Sequence, residues 1–194
     1  MKARELQIQP CLAKEVKDFI ESNHYSKSIN GVKVTQCFRV DHNDSLVGAA
    51  LFGQLSTTAW KKFADTEKEV LELRRLVLLD GCEKNSESRV VGWCLRWIKK
   101  HIPVVRVVVS YADPMYGHDG TIYKASNFKL IGVTPDDKGF RDPESGKTYH
   151  SRALRTKYKG NYKPFVKRLR EKLNNGILEE ITLKGKLCYL YQIR

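Results

Sequence analysis

Between Pro10 and Glu21 the apolar residues Leu12, Val16, Phe19 and Ile20 recur at spacings of three and four, which predicts an amphipathic first helix. The polar run Ser22-Asn23-His24-Tyr25-Ser26 ends it. Two strand-like runs follow, Val32 to Val40 and Leu46 to Gly53. The segment joining them, Asp41-His42-Asn43-Asp44-Ser45, has turn composition, so the pair is expected to form an antiparallel hairpin at the open edge of a sheet. A weakly patterned stretch around Thr57 to Phe63 leads to Val70 to Leu79, a strand in which Leu71, Leu73, Val77 and Leu79 share one parity while Glu72 and Arg74 take the other. Arg75 breaks that parity. A guanidinium on a mostly apolar face has to be paired or to face a ligand, because burying it alone is costly.

After the turn-like Asp80-Gly81-Cys82-Glu83-Lys84, the polar set Asn85, Ser86 and Ser88 precedes a helical run through Val90, Val91, Trp93, Cys94, Trp97 and Ile98 that Pro103 stops. Val104 to Val109 is an almost unbroken β-branched run, read as a strand buried on both faces. A helix from about Asp119 to Ser126, ended by Asn127, and a strand from Phe128 to Val133 come next. Thr134 to Thr148, rich in Pro, Gly and Asp, is expected to be a surface loop. Asn161 can cap a helix whose apolar stripe is Phe165 or Val166, Leu169 and Leu173, ended by Gly176. Lys186 to Arg194 completes the chain as a last strand beside Phe128 to Val133. The order αββ(α)βαβαβ describes an α/β protein whose mixed sheet starts antiparallel and then acquires right-handed strand-helix-strand crossovers.

Composition narrows the picture. At 194 residues with 41% hydrophobic content the chain supports one ordinary core, so a single domain is expected, with 135–185 as a basic insertion before the last strand. No apolar run approaches the roughly 18 residues needed to span a bilayer, which points to a cytosolic protein without a membrane partner. The cysteines Cys11, Cys37, Cys82, Cys94 and Cys188 are odd in number and widely spaced, so neither a disulfide framework nor a zinc site is indicated, and Cys37, Cys94 and Cys188 are expected to be small buried hydrophobes. The formal charge of +13 calls for a polyanionic partner. It is concentrated between His150 and Asn174, where nine Lys or Arg residues stand against the single acid Glu171. Of these Arg155, Lys157, Lys159, Lys163, Lys167, Arg168 and Arg170 are candidate phosphate contacts, and the interleaved Tyr158, Tyr162 and Phe165 offer stacking surfaces for bases.

Chemistry is expected where Val104–Val109 gives way to Ser110-Tyr111-Ala112-Asp113-Pro114 and then Gly117-His118-Asp119-Gly120-Thr121-Ile122-Tyr123, since open α/β sheets bind ligands at the carboxyl ends of their strands. Asp113 is placed either to accept a proton or to cap the Pro114 turn, and His118 is the second candidate, able to orient substrate or shuttle a proton. At the start of the Val90 helix, Asn85, Ser86 and Ser88 can serve an anionic ligand or simply cap the helix.

The strand order and the segment Gly120 to Gly132, with Tyr123 and Phe128 before a strand, resemble the GCN5-related N-acetyltransferase (GNAT) fold. The likeness implies that Tyr123 faces the reactive end of an acyl donor and protonates a leaving group. Asn85, Ser86 and Ser88 would then hold the donor, acetyl-CoA or another acyl or aminoacyl carrier. The loop that cradles the pyrophosphate in that family is glycine-rich, whereas here it reads Lys84-Asn85-Ser86-Glu87-Ser88-Arg89-Val90-Val91-Gly92.

More specifically, the chain resembles the Mom DNA-modification proteins of Mu-like phages, a divergent GNAT branch. The residues that carry this are His24-Tyr25-Ser26, Leu71-Glu72-Leu73-Arg74-Arg75-Leu76, Asn85 to Ser88, Ser110-Tyr111-Ala112-Asp113 and Gly117-His118-x-Gly120-Thr121-Ile122-Tyr123. The resemblance implies conversion of adenine N6 in double-stranded DNA to a carbamoylmethyl (acetamido) form that shields phage DNA from restriction, with the base flipped out of the helix. Under this reading Asp113 accepts a proton or a hydrogen bond from the amine, His118 orients substrate or shuttles a proton, Arg75 holds an anion or polarises a carbonyl, and Tyr25 stacks or hydrogen-bonds at the entrance. Two alternatives stand beside it: a GNAT enzyme acting on a protein, tRNA or small amine, and a non-catalytic DNA-binding module. No metal ligand set is indicated, and the oligomeric state is open, a dimer included.

Overall fold

A computed structural model describes residues 1–29, 31–55 and 58–194. In chain order the elements are β1 (Gln7–Cys11), α1 (Ala13–Asn23), β2 (Val34–His42), β3 (Ser45–Gly53), β4 (Val70–Leu78), α2 (Ser86–His101), β5 (Val107–Ala112), α3 (Thr121–Ala125) and β6 (Lys129–Val133). They are followed by β7 (Asp137–Arg141), β8 (Thr148–His150), β9 (Lys157–Tyr158), β10 (Asn161–Tyr162), α4 (Pro164–Asn174), β11 (Glu179–Leu183) and β12 (Leu187–Gln192). Two compact units result. One comprises Met1–Ala112, Asp119–Gly132 and Leu187–Arg194, the other Asp113–His118 and Val133–Lys186. Among the described residues no helix is long and apolar enough to cross a membrane.

The first unit is built on a seven-stranded mixed sheet in the order β1-β2-β3-β4-β5-β12-β6. Strands β1 to β4 pair antiparallel, β4 and β5 run parallel, and β12 returns antiparallel to β5. Because side chains alternate across a strand, Phe38, Val40, Ala50 and Phe52 enter one core with Val90, Val91, Cys94 and Ile98 of α2, while Cys37, Ala49 and Leu51 meet Val16 and Ile20 of α1 on the other. Val16 and Ile20 are fully buried, each contributing about 1.5–3 kcal/mol. Cys37, Cys94 and Cys188 are buried as expected.

Four sequence expectations change in this unit. The helix begins at Ala13 rather than Pro10, because Pro10 belongs to β1, whose outer position in the sheet suits a residue with no N–H to donate. Glu15 turns back to accept the Leu12 N–H at 2.6 Å and so closes the helix start. The β2–β3 hairpin, turned at Asn43 and Asp44 with φ 48° and 61°, is not the sheet edge, since β1 flanks it. The β-branched run enters its strand three residues late: Val104 is 46% exposed in a turn, and β5 continues to Ala112 because β12 pairs with Ser110, Tyr111 and Ala112. The helix expected at 119–126 is the shorter α3. Of the stretch 57–63, Thr57 lies outside the described residues, and Ala59–Lys62 forms a 3-10 turn.

The second unit has a three-stranded sheet, β11-β7-β8, a two-stranded hairpin of β9 and β10, and α4. Its core is Phe140, Leu154, Leu169 and Leu178. The loop expected over 134–148 therefore contains β7 and the start of β8; Phe140 is the single large apolar residue of β7, and pairing on both sides holds that strand rather than its own pattern. Asn161 lies in β10, and the helix instead starts after Lys163, with Pro164 in the first turn where a missing N–H costs nothing. Val166 and Leu169 form the buried stripe, Phe165 stays exposed, and Gly176 (φ 69°) follows the helix end.

Candidate functional site

The parallel ladder between β4 and β5 runs only from Val70↔Val107 to Glu72↔Val109, although both strands continue. Beyond that point the Ser110 hydroxyl donates to the Leu73 carbonyl at 3.1 Å, a side-chain bond where the backbone ladder has ended. A gap at the carboxyl end of two parallel strands is the place at which such sheets take ligands. Strand β4 also carries a bulge. Leu51 pairs with Arg75 and Phe52 with Leu73, leaving Arg74 as the extra residue. The bulge switches the alternation: Leu71 and Leu73 before it, and Leu76 and Leu78 after it, all join the core cluster under α2, whereas Val77 joins the α1 side. Strict parity from Leu71 to Leu79 is thus corrected, and the anomaly at Arg75 is its sequence trace.

Arg75 Nε and Nη2 donate to the Ser28 carbonyl at 3.0 and 2.9 Å, and Nη1 donates to the Arg74 carbonyl at 2.7 Å. The guanidinium thereby ties the segment after α1 to the bulged strand. Burial lowers its pKa, opposed by the nearby Tyr25. In that segment buried His24 takes the Ser26 N–H on Nδ1 at 3.1 Å and lies 4.2 Å from the exposed Tyr25 ring. Sequence reasoning assigned no role to Glu72 or Arg74. Both Glu72 carboxylate oxygens accept from Arg74 Nη1, at 2.9 and 2.8 Å, while Arg74 Nε is buried with no partner among the described residues. The Glu-x-Arg spacing on a strand was the available signal.

Tyr123 reaches this region from α3. Its ring packs 5.7 Å from Phe128 and 5.4 Å from Tyr189. Burial pushes its phenol up, partly offset by hydrogen bonding with Ser110, with Tyr25 and Glu72 adding to the rise, so the hydroxyl is protonated at neutral pH. Tyr111 is raised in the same way. Two local features fix α3. Gly120 precedes it at φ 79°, its missing Cβ leaving room for the Tyr189 ring, whose hydroxyl donates to the Asp119 carbonyl at 2.8 Å. Asn127 (φ 63°) closes it as expected: the Phe128 N–H reaches the Tyr123 carbonyl and the Asn127 N–H the Lys124 carbonyl, both within 3.1 Å. The first unit therefore gathers Tyr123, Tyr25 and Arg75 with Glu72 and Ser110.

Asn85, Ser86 and Ser88 stand at the start of α2. Asn85 adopts φ 72°, supplying the left-handed turn that a glycine-rich loop would otherwise supply, and its carbonyl accepts the Ser88 hydroxyl at 2.9 Å. Ser86 Oγ is fully buried and has no partner among the described residues. The positive end of a 16-residue helix with an orphaned hydroxyl beside it fits an anionic group.

In the second unit Asp113 is buried and doubly held. One carboxylate oxygen accepts the Met115 N–H at 3.1 Å and the other pairs with Lys186 at 2.8 Å. The capping role left open by the sequence is thus present, and Lys186 is a neighbour that no local pattern announces. The Asp113 carbonyl accepts the N–H of His118, which is exposed, at 3.3 Å. Lys157 and Arg170 lie over the Tyr162 ring, and Lys159 and Lys163 over Tyr158. Arg155, Lys167 and Arg168 are exposed without such ring contacts among the described residues. Nor do those residues contain a group of three or more His, Cys, Asp or Glu side chains able to hold a metal ion.

Comparison with known proteins gives the family and the fold. The Mom protein family matches residues 5–194. The methylcarbamoylase mom of Escherichia phage Mu is 30% identical over 133 residues, 67% of this chain and 55% of that protein, so the match spans about half of the relative's length. A GNAT family acetyltransferase from Elizabethkingia anophelis, crystallised with acetyl-CoA, superposes with a TM-score of 0.52 at 7% identity, covering 97% of this chain and 98% of that one. An N-acetyltransferase from Staphylococcus aureus Mu50 gives 0.53 at 16% identity, covering 97% and 99%. The chain has the GNAT fold.

Proposed function

The chain belongs to the Mom protein family, and from that premise we propose that it is a GNAT-like transferase that converts the N6 amino group of adenine in double-stranded DNA to a carbamoylmethyl form, protecting phage DNA from restriction. The observation that carries the proposal is the family match over residues 5–194, which takes in both the parted β4–β5 sheet and the basic second unit. The concentration of cations from Arg152 to Lys172 supports DNA as the partner, since a small amine has no use for it.

The donor would be acetyl-CoA or another acyl or aminoacyl carrier, its anionic part at the start of α2 against Asn85, Ser86 and Ser88. An acetyl unit lacks the nitrogen of –CH2–CO–NH2, so an aminoacyl carrier is the donor that would balance: its two-carbon unit –CO–CH2–NH2 is an isomer of the product group, and the carrier itself would depart as the leaving group. Tyr123 is suited to protonate the leaving group because burial keeps its phenol protonated. Arg75 holds the Tyr25 segment in place through the Ser28 carbonyl, and Tyr25 offers an exposed ring for stacking. The adenine amine is a weak nucleophile whose lone pair is delocalised into the ring, and a proton must leave it as the new N–C bond forms. Asp113 is the assigned acceptor of that proton, with His118 on the same turn as a group able to relay it. An N6 inside a stacked duplex is out of reach of an enzyme cleft, so the base is extruded first.

Mass spectrometry of nucleosides from DNA of cells expressing the protein tests the proposal, with Tyr123→Phe as the paired variant. Deoxyadenosine carrying one carbamoylmethyl group is expected from the wild type, with a fall of about 10²–10⁴-fold in the variant at unchanged DNA affinity. An altered tRNA nucleoside or an acylated protein in place of modified deoxyadenosine would overturn the substrate; no modified product of any class would leave a DNA-binding module.

A further inference from the structure

Within its cationic stretch the second unit carries a small hairpin. Strands β9 and β10 pair Asn161 with Tyr158 and Tyr162 with Lys157, and the two turn residues between them, Lys159 (φ 47°) and Gly160 (φ 80°), are both left-handed. This is the mirror-image two-residue turn whose hand matches strand twist, and its first position favours Asn, Asp or Gly. Lysine is disfavoured in that conformation, so the turn holds a cation at its tip against local preference. Tyr158 is 61% exposed, with the Lys159 and Lys163 ammonium groups 5.7 and 5.5 Å from its ring centre. On the paired strand Tyr162 is flanked by Lys157 at 5.1 Å and the Arg170 guanidinium at 4.7 Å. From Arg152 to Arg170 the sequence contains no acid. A ribbon with Lys159 in its turn, Lys157 at the start of one strand, Lys163 just after the other and an exposed aromatic face is equipped for phosphates on either side and for a flat apolar surface between them.

We infer that hairpin Lys157–Tyr162 inserts into the major groove of duplex DNA, with Tyr158 packed against base edges and Lys157, Lys159 and Lys163 on the flanking phosphates. The inference rests on DNA being the substrate and adds where and how it is gripped. Width selects the groove: two strands about 4.8 Å apart, with side chains, fit the major groove of about 12 Å and not the minor groove of about 6 Å. The major groove is also the edge on which adenine carries its N6 amino group, so a ribbon lying there meets the duplex on the side to be modified.

The test measures binding of the full chain to a fluorescent duplex across a salt series, for the wild type and for Tyr158→Ala and Lys159→Gly. Glycine accepts the turn conformation better than lysine does, so a loss with Lys159→Gly is not a loss of folding. Two further duplexes are compared, one with its major groove filled by glucosylated 5-hydroxymethylcytosine and one with its minor groove saturated by netropsin. Expected are a drop of about 5- to 100-fold for Tyr158→Ala and a salt slope lower by about one for Lys159→Gly. The glucosylated duplex should bind weakly and the netropsin duplex normally. Wild-type affinity and slope in both variants, or loss of binding with netropsin alone, would overturn the hairpin's role while leaving DNA as substrate. Absence of salt-dependent binding by the wild type to any duplex would overturn both readings.

Discussion

Replacing Gly120 by Ala perturbs the point at which α3 is set against the sheet. A Cβ at this position falls 2.2 Å from Cε2, 2.3 Å from Cζ and 2.4 Å from the hydroxyl of Tyr189, far inside van der Waals contact. Tyr189 is fully buried and its hydroxyl is bonded to the Asp119 carbonyl, so the ring has no free direction in which to move. Two costs add. Holding alanine at φ 79° costs about 1–2 kcal/mol, and forcing a methyl group into a packed site about 1–3 kcal/mol more. The sum, about 2–5 kcal/mol, is a large share of the roughly 5–15 kcal/mol stability of an ordinary domain. Urea unfolding followed by tryptophan fluorescence measures it, and Tyr189→Leu supplies a control. With the ring removed, Gly120→Ala should cost only its backbone share, giving a coupling of about 1–3 kcal/mol between the two sites. A cost below about 1 kcal/mol, or the same cost in both backgrounds, would refute the claim that glycine is required here by the tyrosine ring. Because Tyr123 lies in the first turn after Gly120, the variant should also lose modification activity more steeply than its stability loss alone accounts for.

Asp113→Asn keeps a carbonyl oxygen to cap the Met115 N–H but removes the charge opposite Lys186. If Asp113 accepts the substrate proton, activity falls by about 10²-fold or more with little change in thermal stability, whereas Asp113→Ala also loses the cap, about 1 kcal/mol. An Asp113→Asn protein that modifies DNA at the wild-type rate would leave the cap as its whole role. In the second unit a hydrogen bond from Lys172, joined by Ser145, holds the Asp142 carboxyl below its ordinary value. Stability from this group is therefore full above about pH 4 and fades as pH falls through the lowered value. Acid titration of unfolding should show this decline in the wild type and a flatter profile in Asp142→Asn; identical profiles would remove Asp142 from the account.

The local alphabet carried much of the architecture. Periodicity announced α1, the β2–β3 hairpin, β4 and α2, because in these segments one apolar face is repeated often enough to define its own period. It was silent on β1, β7 and β11, which are short, largely polar and held by partners on neighbouring strands. The motif around Gly120 was legible as important, but not why: the reason is a tyrosine ring contributed by β12, about seventy residues later in the chain.

By itself, then, the sequence determined the class of fold, the family, the cationic character of the second unit and the residue types available for proton transfer and stacking, since each is a property of composition or of short-range pattern. The tertiary structure decided what those residues do to one another. The β4 bulge at Arg74 turned Arg75 toward the Ser28 carbonyl, long-range pairing extended β5 through Ala112, Lys186 met Asp113 across 73 positions, and the Lys159-Gly160 turn raised a hairpin from a run read only as basic. Such contacts depend on strand register and chain reversal, which are settled by cooperative pairing over the whole sheet and leave no mark within any one window of the chain.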